Sequence, residues 1–364
     1  MIASRVMARC PNVYVLRRLI VLLLLLKLAV LLYASNFGLV VFGQGNDADY
    51  YHQHATGGVK LAVNSWAGFL RWLNEIGLYS REVVRFTIWG LGAVAVPFLA
   101  AAVAVRNKAA HPKEYWCVVL VASLYPTLFY YALDIYRDVL MCCLFLLALY
   151  LLQMIHGSKS RVSRFSTLAV LLAVCGVLFL MRPYLGVSLI VSLIYWFLSS
   201  VRRWEVWVFG GLYIVGLNLA YASGLLDSIM VYRAKFGVEL LGASNLNIAF
   251  DSPYWFIPTF LKSVLVQLFG LYFYGFMPAM LFFVESVPLI MGVVYVCRNW
   301  RFADELTKFL CVFFVVYGSI WLLGNDNMGT AVRLRMFNYI AILLCVVVIY
   351  IRKKVSPNYN CQDR

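Results

Sequence analysis

Long apolar runs recur from one end of the chain to the other, with only short polar stretches between them. That pattern excludes most folds. The sequence of 364 residues is 63% hydrophobic and only 13% charged, with a mean hydropathy of +0.83. A water-soluble domain has to clothe its surface in polar groups and does not reach that balance. A helix needs about 20 apolar residues to cross the hydrocarbon core of a bilayer. The run 19–41 meets this requirement. It follows Arg17 and Arg18 and has no small-residue cleavage site near its end, so it reads as a retained anchor and not as a removed signal peptide. Nine more runs follow, at 86–105, 115–132, 139–155, 165–181, 185–200, 204–224, 277–297, 307–324 and 336–351. The expectation is an all-α polytopic membrane protein of about ten transmembrane helices, forming one integral membrane domain over 1–364.

Charge orients this arrangement. With the amino terminus inside, Lys and Arg far outnumber Asp and Glu in the inner segments and roughly balance them in the outer ones, as the positive-inside rule requires. Both termini are then inside, and 42–85 and 225–276 are long outer segments. The formal net charge of +15 is mostly a consequence of topology and implies no nucleic-acid partner. The nine cysteines avoid the outer loops, from which no disulfide is expected. The chain has no Asn-X-Ser/Thr sequon, which favours a bacterial inner membrane. It also has no Gly-x-x-x-x-Gly-Lys-Ser/Thr, so an ATP-driven pump would have no engine.

Six charged segments fall on the outer side. They are 45–54, Leu133–Asp138, Arg182–Tyr184, 227–251, the approach to Glu285, and Asn325–Arg335. Charges at a membrane boundary cost desolvation unless partners compensate them, so their gathering on one side suggests a site. Asp47 and Asp49 have the chemistry of a general base, or of ligands to a divalent cation beside a diphosphate; an ordinary polar loop is the alternative. His52 and His54 at i, i+2 read as solvated loop residues, and no metal-ligand set is assigned. Residues 61–78 carry apolar side chains every three to four positions and predict a helix in the interface plane. The stretch 257–275 predicts a second such helix or an extra span. Arg137 either pairs along its helix with Asp134 and Asp138 or binds a ligand. Arg182, beside Tyr184, is either a snorkelling anchor or a binding residue. Arg233 belongs to the second long outer segment. Arg333 and Arg335, two apart on chain read as extended, would face the same way and grip phosphate oxygens.

The order of these pieces resembles the polytopic GT-C-type glycosyltransferases and the bacterial O-antigen (polysaccharide repeat-unit) polymerases. The resemblance rests on Asp47-Ala-Asp-Tyr-Tyr-His-Gln-His-Ala55 followed by an interfacial helix, on Tyr125-Pro-Thr-Leu-Phe-Tyr-Tyr-Ala-Leu-Asp-Ile-Tyr-Arg-Asp-Val-Leu140, on Met181-Arg-Pro-Tyr184 and on Gly329-Thr-Ala-Val-Arg-Leu-Arg335. It spans most of the chain through short, degenerate motifs. It implies a GT-C-like fold and glycosyl transfer from polyprenyl-linked saccharides reached from the outer leaflet. Asp47 or Asp49 would be catalytic. Arg137, Asp138, Arg182, Tyr184, Arg233, Arg333 and Arg335 would bind substrate or lipid phosphate. A repeat-unit polymerase is the leading form, a single-sugar transferase the next, and a lipid-linked oligosaccharide flippase the rival from another class. The implied partners are membrane lipid and other polysaccharide-assembly proteins.

Overall fold

The computed structural model describes residues 12–37, 47–158, 160–198, 203–239, 245–273 and 275–355. The two termini with their expected inner location, the Gly45–Asn46 start of the first polar segment, and the side chains of Lys235 and Glu239 lie outside the described residues. All regular structure among them is helical, apart from one isolated antiparallel bridge between Asn245 and Asn327. The chain divides into two compact units, Ile2–Val187 and Ser188–Arg364, where the sequence reads as a single domain.

In the first unit, α1 covers Val13–Phe37, α2 Asp47–Ala55, α3 Ser65–Glu75 and α4 Arg81–Ala104. Then come α5 (Pro112–Ser123), α6 (Pro126–Tyr131), α7 (Arg137–Gly157) and α8 (Arg161–Met181). Asn64 caps α3 by accepting the N–H groups of Trp66 and Ala67, and Ser80 caps α4 by accepting that of Val83. Helix α4 contains a π turn at Leu91–Ala95. Gly92 in this turn touches α7 and the end of α6: a Cβ there would come within 2.7 Å of Ala132 Cβ and 3.1 Å of Val139 Cγ1. Helices α4 and α7 run in the same direction. Gln153 Nε2 donates to Val103 O at their far ends (2.8 Å), while Arg81 and Arg85 reach Asp134 at their starts. Helix α8 returns beside α7, so that Arg137 Nη1 donates to Met181 O at 2.6 Å. The starts of α4 and α7, the end of α8 and the end of α1 therefore share one end of this unit.

In the second unit, which takes over within α9 (Pro183–Leu198), α10 covers Arg203–Ala222 and α11 Asp227–Glu239. Helix α12 (Phe256–Ser263) runs on into a π turn, Val264–Leu268. After it come α13 (Phe276–Arg298, with a π turn at Phe282–Ser286), α14 (Glu305–Gly324) and α15 (Met328–Val355). Helix α15 forms the centre of this unit, with 83% of its apolar window buried.

Among the described residues, six helices are long and apolar enough to cross a membrane: α4, α7, α8, α13, α14 and α15. The number rises to seven if Gly210–Ala222 and Asp227–Ala234, bent by 76°, form one span. About ten are expected from the sequence; the run 19–41, in α1, is not among the six, and two other differences have local causes. The run 115–132 is two short helices, because Pro126 keeps Tyr125 out of the helical region. Of the run 185–200, the described part lies in α9, which covers 16 described residues. Residues 256–268 form a short helix that turns into irregular backbone and not a further span. Outward faces stay apolar, with Val162, Phe165, Val170, Leu172, Val177 and Leu180 of α8 all exposed. In water that continuous surface would be an aggregation hazard, and in lipid it is solvated. The protein is thus a membrane-embedded helical protein. One expectation about the cysteines fails. Cys117 is disulfide-bonded, so cysteine placement lends no support to the topology.

Candidate functional site

The charged residues at the shared end of the first unit form a connected network. Arg81 occupies the first position of α4, where the helix dipole opposes a cation. Its compensation comes from Asp134, which receives Nε on Oδ1 at 3.3 Å and Nη2 on Oδ2 at 2.8 Å. Asp134 Oδ1 also accepts the N–H of Ile135 at 2.8 Å. Arg85, one turn further along α4, lies 3.5 Å from the same Asp134 carboxylate. It also holds Glu82 at 2.9 Å and Ser35 Oγ, at the end of α1, at 2.8 Å. Arg81 Nη2 reaches Asp49 Oδ1 as well, at 2.7 Å. Exposure falls along this chain of charges, from 49% of the Asp49 side chain through 22% at Arg81 and 19% at Asp134 to 11% at Arg85. Burial by itself would raise the Asp134 carboxyl, but the bonds and charge from Arg81, the charge of Arg85 and the Ile135 N–H outweigh it and hold it below its ordinary range.

Helix α2 is docked against this network by Asp49 and by His52, whose Nδ1 lies 3.0 Å from Tyr79 Oη. His54 is buried, with Nδ1 2.9 Å from Val59 O, so it is packed against the α2–α3 turn and is not the solvated residue expected. Asp47 is half-buried and within electrostatic reach of Tyr51 and Tyr136. Tyr130, Tyr131 and Tyr136 pack together, with ring centroids 5.1 Å apart for Tyr130–Tyr131 and for Tyr131–Tyr136. Burial pushes the Tyr51 and Tyr136 hydroxyls up. The helix expected within 61–78 is α3. It buries Trp66, Ala67 and Leu70, turns Phe69 and Trp72 outward, and is tied to the site end by Trp66 Nε1 to Ile135 O (2.9 Å) and Ser65 Oγ to Leu180 O (2.8 Å).

Beside the network lies a second, more deeply buried pair. Asp138 in the first turn of α7 takes Arg182 at 3.0 Å. The Arg182 guanidinium carbon sits 5.7 Å from the Tyr184 ring. The pairing expected within the α7 start is therefore replaced by pairing between helices. Asp134 takes Arg81 and Arg85, Asp138 takes Arg182, and Arg137 stays half-buried and anchored to Met181 O.

The remaining candidates lie in the second unit, where two corrections are needed. Asn327 caps α15, its Oδ1 accepting the Thr330 N–H at 3.0 Å, so the helix has begun before the arginines. Residues two apart on a helix point to opposite sides, and Arg333 and Arg335 therefore diverge instead of sharing a face. Arg335 is 1% exposed and paired at 3.3 Å with Glu285, itself fully buried. Its guanidinium carbon lies 5.2 Å from the Tyr339 ring, while Tyr339 Oη contacts Ser286 Oγ and donates to Leu268 O, both at 2.9 Å. Arg233 is the second correction. It donates to Ile248 O, Leu322 O, Leu323 O, Asn325 O and Asp326. Those carbonyls include the last ones of α14, which a cation stabilises. Arg233 is thus a clamp on a helix end, with its donors committed to protein.

Sequence reasoning finds Asp47, Asp49, Asp138 and Arg182 at the same end of one unit, and misses Arg81 and Arg85. Their signal is the i, i+4 spacing of two arginines in the first turns of a helix, where the dipole disfavours them, in a segment that the charge pattern of the sequence assigns to the outer side. Among the described residues no group of three or more His, Cys, Asp or Glu is placed to hold a metal ion. No protein-family model matches the chain, and no curated protein and no solved structure is detectably similar to it.

Proposed function

We propose that the protein is a glycosyltransferase of envelope polysaccharide assembly in a bacterial inner membrane, acting on polyprenyl-(di)phosphate-linked saccharides at the outer face. The reading favours a repeat-unit polymerase of the O-antigen type, with a single-sugar transferase next. The observation that carries it is the half-exposed Asp49 carboxylate, held at the rim of an arginine–carboxylate network and beside a tyrosine cluster. Glycosyl transfer needs a hydroxyl to attack an anomeric carbon while a lipid phosphate leaves. Asp49 suits the role of base, with Asp47 the alternative. Arg137, half-buried at the start of α7, suits the departing phosphate, since a guanidinium stays charged and grips oxygens with a planar fork. The tyrosine rings suit stacking on sugar faces. A divalent cation beside Asp47 and Asp49 is not required by this chemistry.

A second reading, a lipid-linked oligosaccharide flippase, draws on the second unit. It has a helix pair bent by 76° and a buried ion pair, features of transport pathways. Mass analysis of lipid-linked glycans in a deletion strain separates the readings. Accumulated single repeat units indicate a polymerase, truncated units a transferase, and complete units on the inner leaflet a flippase. Asp49→Asn is expected to abolish extension at unchanged protein level, and Asp47→Asn to weaken it. Normal glycan length in the double variant would reject the carboxylate mechanism.

A further inference from the structure

We propose that Arg81 is the positioning residue of Asp49, an inference that rests on the glycosyl-transfer reading and adds to it a residue outside the resemblance. Arg81 joins the half-exposed carboxylate to the buried part of the network. Three features make it a rigid support. Asp134 engages it through two N–H groups, Nε and Nη2, so the guanidinium plane is fixed as well as its position. Asp134 is itself fixed by the Ile135 N–H and by Arg85, and Arg85 is fixed by Glu82 and Ser35. The Arg81 backbone sits at the start of a 24-residue helix and does not share the motion of a loop. Its Nη2 then sets the place of Asp49 Oδ1, 2.7 Å away.

An ion pair as exposed as Asp49 adds little to folding stability, because water and salt screen it. The contact therefore matters through orientation. It holds the carboxylate of a nine-residue helix, α2, against the start of a membrane-spanning one. The parts of the network follow a clear division: Arg85, Glu82 and Ser35 hold Asp134, Asp134 holds Arg81, and Arg81 holds Asp49. A displacement of about 1 Å in a catalytic group can cost roughly 100-fold in rate.

The test combines kinetics with a measurement that needs no activity. In membranes supplied with the lipid-linked donor, Arg81→Gln is expected to lower turnover about 100-fold with the donor KM unchanged. Arg81→Lys, which keeps charge and loses the fork, is expected to fall between it and wild type, and Asp134→Asn to mimic Arg81→Gln. A raised KM with turnover retained would make Arg81 a phosphate ligand and overturn the proposal. So would full turnover in Arg81→Gln. Separately, Asp49→Cys is modified with an anionic and a cationic methanethiosulfonate, and the rates at residue 49 are compared. With Arg81 in contact distance, the ratio favours the anionic reagent. Adding Arg81→Gln is expected to lower that ratio roughly 25-fold, because a unit-charge interaction at about 4 Å in water is worth about fivefold and acts with opposite sign on the two reagents. An unchanged ratio overturns the placement. A lowered ratio together with normal turnover in Asp49→Asn keeps the placement but removes Asp49, and Arg81 with it, from the reaction and overturns the proposal, whereas a lowered ratio with no turnover of lipid-linked donor by the wild-type protein rejects the glycosyl-transfer reading.

Discussion

At the scale of single residues, the charges of this protein differ in what their loss should cost. Asp134 has a folded-state carboxyl held below its ordinary range, because Arg81 and Arg85 overcome the penalty of burial. The sign follows from linkage. A carboxyl depressed by folding contributes stability that is present above its unfolded value and is lost as pH falls through the folded one. Thermal unfolding of the purified protein should therefore begin to lose stability below about pH 4. Asp134→Asn should remove that contribution at neutral pH and flatten the acid limb; an unaltered limb would show that the network adds no linkage. Glu285 and Arg335 are a different case, since both are fully buried. Taking two ions out of water costs several kcal/mol each, and their attraction roughly offsets this when geometry is good. Removing one partner takes the opposite charge away from the other in the interior. Glu285→Leu or Arg335→Leu should each destabilise by about 3–5 kcal/mol, whereas Glu285→Leu with Arg335→Met should come close to wild type. A double variant as unstable as the singles would mean that packing around the pair, and not its charge, matters most.

At the scale of elements, the second unit contains a segment where helix gives way to irregular backbone next to that ion pair. The π turn of α12 ends at Leu268, and Gly270 takes a positive φ of +67°. A Cβ at Gly270 would lie 2.6 Å from Ser286 Oγ and 2.7 Å from Arg335 Nη1. Gly270→Ala should therefore cost stability through the left-handed backbone, and it would also require the Ser286 hydroxyl and the Arg335 guanidinium to shift. A loss of more than about 1 kcal/mol is expected in thermal unfolding, and near-neutrality would show that the segment relaxes freely. How far such elements are legible in the sequence depends on how local their causes are. The helix at 61–78 is visible because amphipathic spacing is a property of consecutive residues, and α3 appears there, bounded by Asn64. The core of α4 is visible as an apolar run, but its start is not. Arg81, Glu82 and Arg85 look like loop residues until Asp134, some fifty positions away, is brought beside them. The start of α15 is misread for the opposite reason. Asn325-Asp-Asn-Met-Gly reads as a turn, yet Asn327 is a helix cap, and the arginines that follow are helical. The buried pairs Asp138–Arg182 and Glu285–Arg335 join residues 44 and 50 positions apart and have no local signature at all.

At the scale of the whole molecule, the remaining question is which way the chain faces, and the first unit alone supplies an argument. One end of that unit gathers the starts of α4 and α7 and the end of α8, together with Asp49, Glu82, Asp134 and Asp138 among its arginines. The other end is where α4 finishes, α5 begins and α7 turns into α8. Its links carry Arg106, Lys108 and Lys113 on one side and Lys159, Arg161 and Arg164 on the other, against Glu114 as the acidic residue of these stretches. The first end is nearly balanced in charge and the second is strongly basic. Loops held in the cytoplasm are the ones enriched in Lys and Arg, so the basic end should face inward and the carboxylate network outward. This inference does not depend on the number of spans in the second unit. Asn74, exposed at the end of α3, and Ala109, exposed between α4 and α5, report the two ends. Neither side chain is part of the network, so Asn74→Cys and Ala109→Cys should leave the fold intact. In intact cells a membrane-impermeant maleimide should label Asn74→Cys above the wild-type background, and should label Ala109→Cys only after permeabilisation. The reverse pattern would turn the network to the cytoplasm. Donors presented on the outer leaflet would then be out of reach of Asp49, and the proposed reaction would have to use a substrate assembled on the inner side.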